Sequence, residues 1–70
     1  MADFYVRFDG FFHIGDSIQR YYGYSKDAVV RKVKSDADKS RADTFYIEYL
    51  GSGKSVGNWV KKGSRWYKEW

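Results

Sequence analysis

Apolar and polar side chains alternate from the first residues of the chain. Phe4, Val6 and Phe8 fall on one side, and Tyr5, Arg7 and Asp9 on the other. A period of two in β-branched and aromatic residues marks a strand, and the strand-like region runs from Asp3 to Ile14. Asp9-Gly10 suits a two-residue hairpin turn, or equally a bulge inside one long strand. The bulge is the preferred reading, because a turn at Gly15-Asp16 then leads into a return strand from Ile18 to Tyr24, with Arg20 and Tyr22 along it.

The period changes after Tyr24. Ser25 has the chemistry of a helix N-cap, and Asp27 sits in the first turn, where the helix dipole is positive. From Lys26 to Ala37, Val29, Val30, Val33 and Ala37 recur at three- and four-residue spacing, with Arg31, Lys32 and Lys34 facing outward. That spacing predicts an amphipathic helix. Its small side chains are the complement of a sheet that offers large rings. Asp38 to Asp43 reads as a polar loop.

Alternation returns from Thr44 to Leu50, where Phe45, Ile47 and Tyr49 oppose Tyr46, Glu48 and Leu50. Gly51-Ser52-Gly53-Lys54 is a turn. Val56–Lys61 and Ser64–Trp70 form a last hairpin around Lys62-Gly63, where glycine supplies a positive φ. The elements predict one α+β domain over residues 1–70, in the order β-β-α-β-β-β. Its sheet is mostly antiparallel, with four or five strands and one helix packed on one face. A helix of about 12 residues spans roughly 18 Å, whereas five strands make a face of roughly 24 by 20 Å. The helix therefore covers less than half of one face, and nothing in the chain covers the other.

Seventy residues lie near the lower size at which a single core folds without staples, and the chain has no cysteine for a disulfide or a thiolate metal site. Fifteen aromatic residues supply the bulk instead. With 43% apolar and 31% charged residues, a folded domain is expected rather than a disordered chain. The opening MADFYVRFDG lacks a signal-peptide pattern, and no apolar run approaches the roughly 20 residues needed to cross a bilayer. An intracellular, cytoplasmic protein with no membrane partner is expected.

Charge changes this picture most. Lys54, Lys61, Lys62, Arg65 and Lys68 stand against Glu69 alone in the last 17 residues, which hold all three tryptophans and the whole net charge of +4. The first 53 residues are balanced, eight cations against eight anions. A localised basic field with flat rings suits an acidic, ring-bearing partner. A Lys62-Gly63 turn pairs Trp59 with Trp66, and puts Trp59, Lys61, Trp66, Lys68 and Trp70 on one face, with Val60, Arg65, Tyr67 and Glu69 on the other. Two readings follow. The tryptophans stabilise the hairpin and pack in part under the helix, or they form an open platform on which bases stack while the lysines meet phosphates. The candidate binding residues are Lys54, Trp59, Lys61, Lys62, Arg65, Trp66 and Lys68. Arg31, Lys32 and Lys34 form a secondary basic cluster that reads chiefly as a solvated helix face.

Candidate chemistry is sparse. Gly51-Ser52-Gly53-Lys54-Ser55 matches only the end of a phosphate-binding P-loop, since Glu48 stands where the first glycine belongs. Asp36 and Asp38 lack the further oxygen ligands a metal needs. His13, the only histidine, has Asp9, Asp16 and Ser17 nearby but no spacing of a nucleophile–base pair. Neither catalysis, nor a cofactor, nor a metal is expected.

The closing pattern Trp59-Val60-Lys61-Lys62-Gly63-Ser64-Arg65-Trp66 and the element order resemble very small α+β proteins of phages and other mobile elements, including some anti-CRISPR proteins of type I systems. The resemblance covers residues 21–70. It implies an inhibitor that occupies a surface on a nucleoprotein machine in the host cytoplasm. The sequence thus leads to a non-catalytic module that engages nucleic acid or a nucleic-acid-handling complex through the last hairpin. Direct binding to a host protein and homodimerisation through open faces or edge strands are the alternatives.

Overall fold

The computed structural model describes residues 1–10 and 17–70. Its elements are β1 (Ala2–Gly10), β2 (Ile18–Tyr24), α1 (Lys26–Ser40), β3 (Ala42–Tyr49), β4 (Ser55–Lys62) and β5 (Arg65–Lys68). The five strands form one sheet in the order β2-β1-β3-β4-β5, antiparallel at every pairing. The α+β architecture with one helix on a five-stranded sheet is therefore the one the residue pattern predicts. β2 and β3 flank β1 and run parallel to each other, and α1 makes the crossover between them.

The core lies between α1 and one sheet face. Phe4, Val6 and Phe8 of β1 meet Phe45 and Ile47 of β3 and Trp59 of β4, under Val29, Val33 and Ala37 of the helix. Val30 packs at the margin of this core. Large rings from the strands fill the space that small helix side chains leave, which keeps the two layers in contact. Phe45 is stacked on Trp59 with ring centroids 5.2 Å apart. It also touches Trp66 at 4.9 Å and Phe8 at 6.4 Å.

The helix starts as predicted: Ser25 Oγ accepts from the Ala28 amide at 3.2 Å, and Asp27 lies in the first turn. It ends later. The turn that carries Asp38 continues to Ser40, so the predicted polar loop shrinks to Arg41, whose φ of 60° and amide contact with the Ala37 and Asp38 carbonyls cap the helix. A non-glycine residue in this conformation costs about 1–2 kcal/mol, so glycine-based reasoning gave no sign of it. The Asp9/Gly10 position is a bulge, where the β1–β3 register shifts from Asp9↔Thr44 to Gly10↔Ala42. The predicted Gly15-Asp16 turn lies outside the described residues.

The last hairpin differs in register. Its turn is Gly63-Ser64, with Gly63 at φ 65°, and Lys62 pairs with Arg65, Lys61 with Trp66 and Trp59 with Lys68. Trp59 and Trp66 are therefore not cross-strand partners. The slip is two residues, so the side chains of β4 and β5 keep the faces assigned from alternation.

Candidate functional site

Four of the predicted site residues of the hairpin, Trp59, Lys61, Trp66 and Lys68, lie on the helix side. Trp59 is only 5% exposed and sits in the core, so the open-platform reading fails for this ring. Trp66 is half-buried, and its Nε1 donates to Asp38 Oδ1 at 3.0 Å. Lys61 Nζ donates to the same oxygen at 2.5 Å and lies 5.5 Å from the Trp66 ring centroid. Asp38, at the end of α1, thus ties the helix to the hairpin and takes up the Lys61 charge. The Lys61 ammonium holds the Asp38 carboxyl below its ordinary value of 3.8.

Because that carboxyl is depressed in the folded state, its contribution is present above pH 3.8 and is lost as pH falls below it. Asp38→Asn is expected to lower stability at about pH 6 by a few tenths to about 1 kcal/mol, as for an exposed ion pair. The difference from the parent should shrink towards about pH 2, where both side chains are neutral. Urea midpoints of the two proteins across this range check it, and a constant difference contradicts it.

Lys68 Nζ lies 5.8 Å from the Trp59 centroid, and its stem crosses the bare surface above Gly57: a Cβ placed there would lie 2.7 Å from Lys68 Cε. The charged end stays at the surface while the methylenes cover the indole. Lys54 stands apart. It closes the β3–β4 turn, where its carbonyl accepts from the Tyr49 amide at 2.8 Å, and eight strand residues, about 25 Å, separate it from the hairpin turn. That geometry is a strand connection, as the incomplete P-loop pattern implied. Arg31 and Lys32 are exposed on α1, and Lys32 pairs with Asp36 at 3.5 Å. Lys34 is half-buried. This secondary cluster is on the helix layer, away from the bare sheet face.

Lys62 and Arg65 are the predicted residues that reach the helix-free face. They oppose each other directly across the hairpin, both exposed and neither in an ion pair among the described residues. Like charges in this position are destabilising, so the pair is a poor choice for stability alone. The next pair towards the sheet centre on the same face is Val60↔Tyr67, with Tyr67 47% exposed. Asn58 follows, its amide group donating to Glu69 Oε1 at 3.1 Å.

Trp70 departs from prediction. The regular strand ends at Lys68, and the Trp70 ring lies on the helix-free face, 5.7 Å from the Tyr46 ring and 60% exposed. Its backbone carbonyl accepts from the Asn58 amide at 3.0 Å, which anchors the end of the chain. Alternation puts Trp70 with Trp66, but alternation holds only within a strand.

Tyr46 is held from three sides. Its hydroxyl donates to Glu48 Oε1 at 2.8 Å, Arg7 lies 5.8 Å over its ring, and Trp70 flanks it. The nearby Glu48 carboxylate pushes the Tyr46 phenol above its ordinary value of 10.0. Arg7 also contacts Asp9 at 3.3 Å. The face accordingly presents Tyr67 and Trp70 as exposed rings, Tyr46 as a supported one, and Lys62, Arg65, Arg7 and Arg20 as cations. Its carboxylates Asp9, Glu48 and Glu69 all have partners on the same face. Sequence reasoning missed Tyr46 and Arg7 as members of this face, and Gly57 as the close approach on the helix side against which Lys68 and the Trp70 carbonyl lie. An isolated glycine within a strand pattern, which signals close backbone approach, was the available sign for Gly57.

Among the described residues, no group of three or more His, Cys, Asp or Glu side chains is placed to hold a metal ion, and no helix is long and apolar enough to cross a membrane. His13 and Asp16 lie outside the described residues. Comparison with protein-family models, with curated proteins and with solved structures finds no match in any of the three.

Proposed function

We propose that the chain is a non-catalytic module that binds nucleic acid, directly or within a nucleoprotein complex, through the helix-free face of its sheet. The observation that carries this reading is the Lys62/Arg65 pair: two cations held opposite each other beside Tyr67, neither in an ion pair among the described residues. Phosphates between them would relieve their mutual repulsion, and the neighbouring rings would meet bases or sugars. The hairpin remains the centre of the site, with its outer rather than its inner residues making the contact.

The test is a salt titration with short DNA. Affinity should fall linearly on logarithmic axes, and Lys62→Ala with Arg65→Ala should flatten the slope by about 0.7–0.9 per cation removed. Arg31→Ala with Lys32→Ala removes the same net charge from the helix layer and should leave the slope nearly unchanged. Equal effects of the two double variants would reduce the site to bulk charge, and absence of binding at low salt would remove direct nucleic-acid contact.

A direct protein target is the second reading, favoured by the exposed Tyr67 and Trp70 and by Asp9, Glu48 and Glu69 on the same face. Tyrosine and tryptophan are enriched at interface hot spots. It is the reading that accords with the resemblance to phage-encoded inhibitors, and it predicts binding that survives high salt and depends on Trp70 more than on Lys62.

A further inference from the structure

We infer that the nucleic acid this face accepts is single-stranded, with unpaired bases stacked on Tyr67 and Trp70 and the strand's phosphates at Lys62 and Arg65. This inference rests on the nucleic-acid reading above and adds the class of ligand.

Width is the first argument. Five strands at about 4.8 Å spacing make a sheet about 24 Å across, whereas the major groove of a duplex is about 12 Å wide. The sheet cannot enter that groove as a layer. A two-stranded ribbon can, but the last hairpin is not a free ribbon. β3 begins at Ala42, and the pairing Thr44↔Val60 puts Ala42 level with Lys62. Of the last hairpin, only Gly63 and Ser64 project beyond the level of Ala42, and neither carries a side chain long enough to read base edges.

The exposed rings give the second argument. Bases in a duplex are stacked on one another, so ring faces on a protein surface find no partner there. Unpaired bases offer both faces. Tyr67 lies two residue pairs from Lys62/Arg65, about 7 Å along β5, and Trp70 follows it towards the sheet centre, seated on Tyr46. The order along the hairpin is therefore cation pair, ring, ring, with Arg7 beside Tyr46 beyond them. A strand laid along this path meets a phosphate site, two stacking positions and a second cation in sequence. The Tyr46 support fixes Trp70 on the face without covering it, as its 60% exposure indicates.

The experiment is fluorescence anisotropy with one mixed sequence of about 12 nucleotides in four forms: single-stranded DNA, single-stranded RNA, the DNA duplex, and an abasic DNA strand of equal length, at about 50 mM salt. The expected result is at least tenfold tighter binding of the DNA or the RNA single strand than of the duplex, with the abasic strand weaker than its intact counterpart. Tyr67→Ala and Trp70→Ala should each weaken single-strand binding about tenfold and leave duplex and abasic binding unchanged. Tyr67→Phe keeps the ring and should restore the parent affinity. Duplex binding as tight as single-strand binding, or abasic binding equal to that of the intact strand, overturns the inference while leaving nucleic-acid binding in place. No binding to any of the four forms overturns both.

Discussion

Phe45→Ala is expected to lower the stability of the chain by about 3–5 kcal/mol. Phe45 has no exposed surface and contacts Phe8, Trp59 and Trp66 at once. It is the ring through which β1, β4 and β5 share one core. Truncating a buried phenylalanine costs about 3–5 kcal/mol, while a 70-residue domain has roughly 4–10 kcal/mol of total stability. The single change removes between about a third and the whole of that margin, because stacked rings on three sides cannot all close into the space. Far-UV circular dichroism and urea unfolding check the outcome. Phe45→Leu keeps most of the volume and should cost under about 1.5 kcal/mol. A Phe45→Ala protein within about 1 kcal/mol of its parent would mean that the hairpin is not joined to the core through this ring.

How far the fold was legible in the sequence depended on the range of the interaction involved. The helix start is a local event: Ser25 binds an amide three residues on, and nothing distant is needed to read it. The helix end is also local, but its signal is weak, because Arg41 adopts the left-handed conformation that glycine usually marks. The apolar stripe stops at Ala37, whereas the backbone continues to Ser40 because Asp38 meets Lys61 and Trp66 from the far end of the chain. Strand faces were readable from alternation alone, and even the wrong hairpin turn preserved them. Which face of the last hairpin α1 would cover was not readable, since both of its sides carry aromatic and charged residues. Trp59 and Trp66 therefore kept both readings, packed under the helix or open, until the helix layer was in place; packing holds for Trp59, and the candidate site moved to the reverse side of the same hairpin. Trp70 could not be assigned from periodicity, because it lies beyond the last regular strand residue.

Gly57→Ala is expected to detach the end of the chain and, with it, the Trp70 side of the proposed site. A Cβ on Gly57 would lie 2.7 Å from Lys68 Cε, 2.7 Å from the Trp70 carbonyl oxygen and 3.1 Å from Trp59 Cη2. The lysine end can move at small cost. The carbonyl cannot, because it is the acceptor for the Asn58 amide, and Trp59 is fixed in the core. Gly57 has φ 157°, a conformation strained for alanine wherever its neighbours lie, and the steric part of the strain is relieved most cheaply by releasing residues 69 and 70, which breaks that hydrogen bond and lifts the indole off Tyr46. Overpacking of this kind costs about 1–3 kcal/mol, and here much of it falls on a segment that can peel away without unfolding the sheet. Amide exchange at Asn58 should accelerate, and single-strand affinity should drop to that of Trp70→Ala. Adding Gly57→Ala to Trp70→Ala should then weaken binding little further, since both remove the same ring from the face. Unchanged protection of Asn58 in the Gly57→Ala protein would show that the sheet absorbs the methyl group, and that the seat of Trp70 does not depend on the close approach at Gly57.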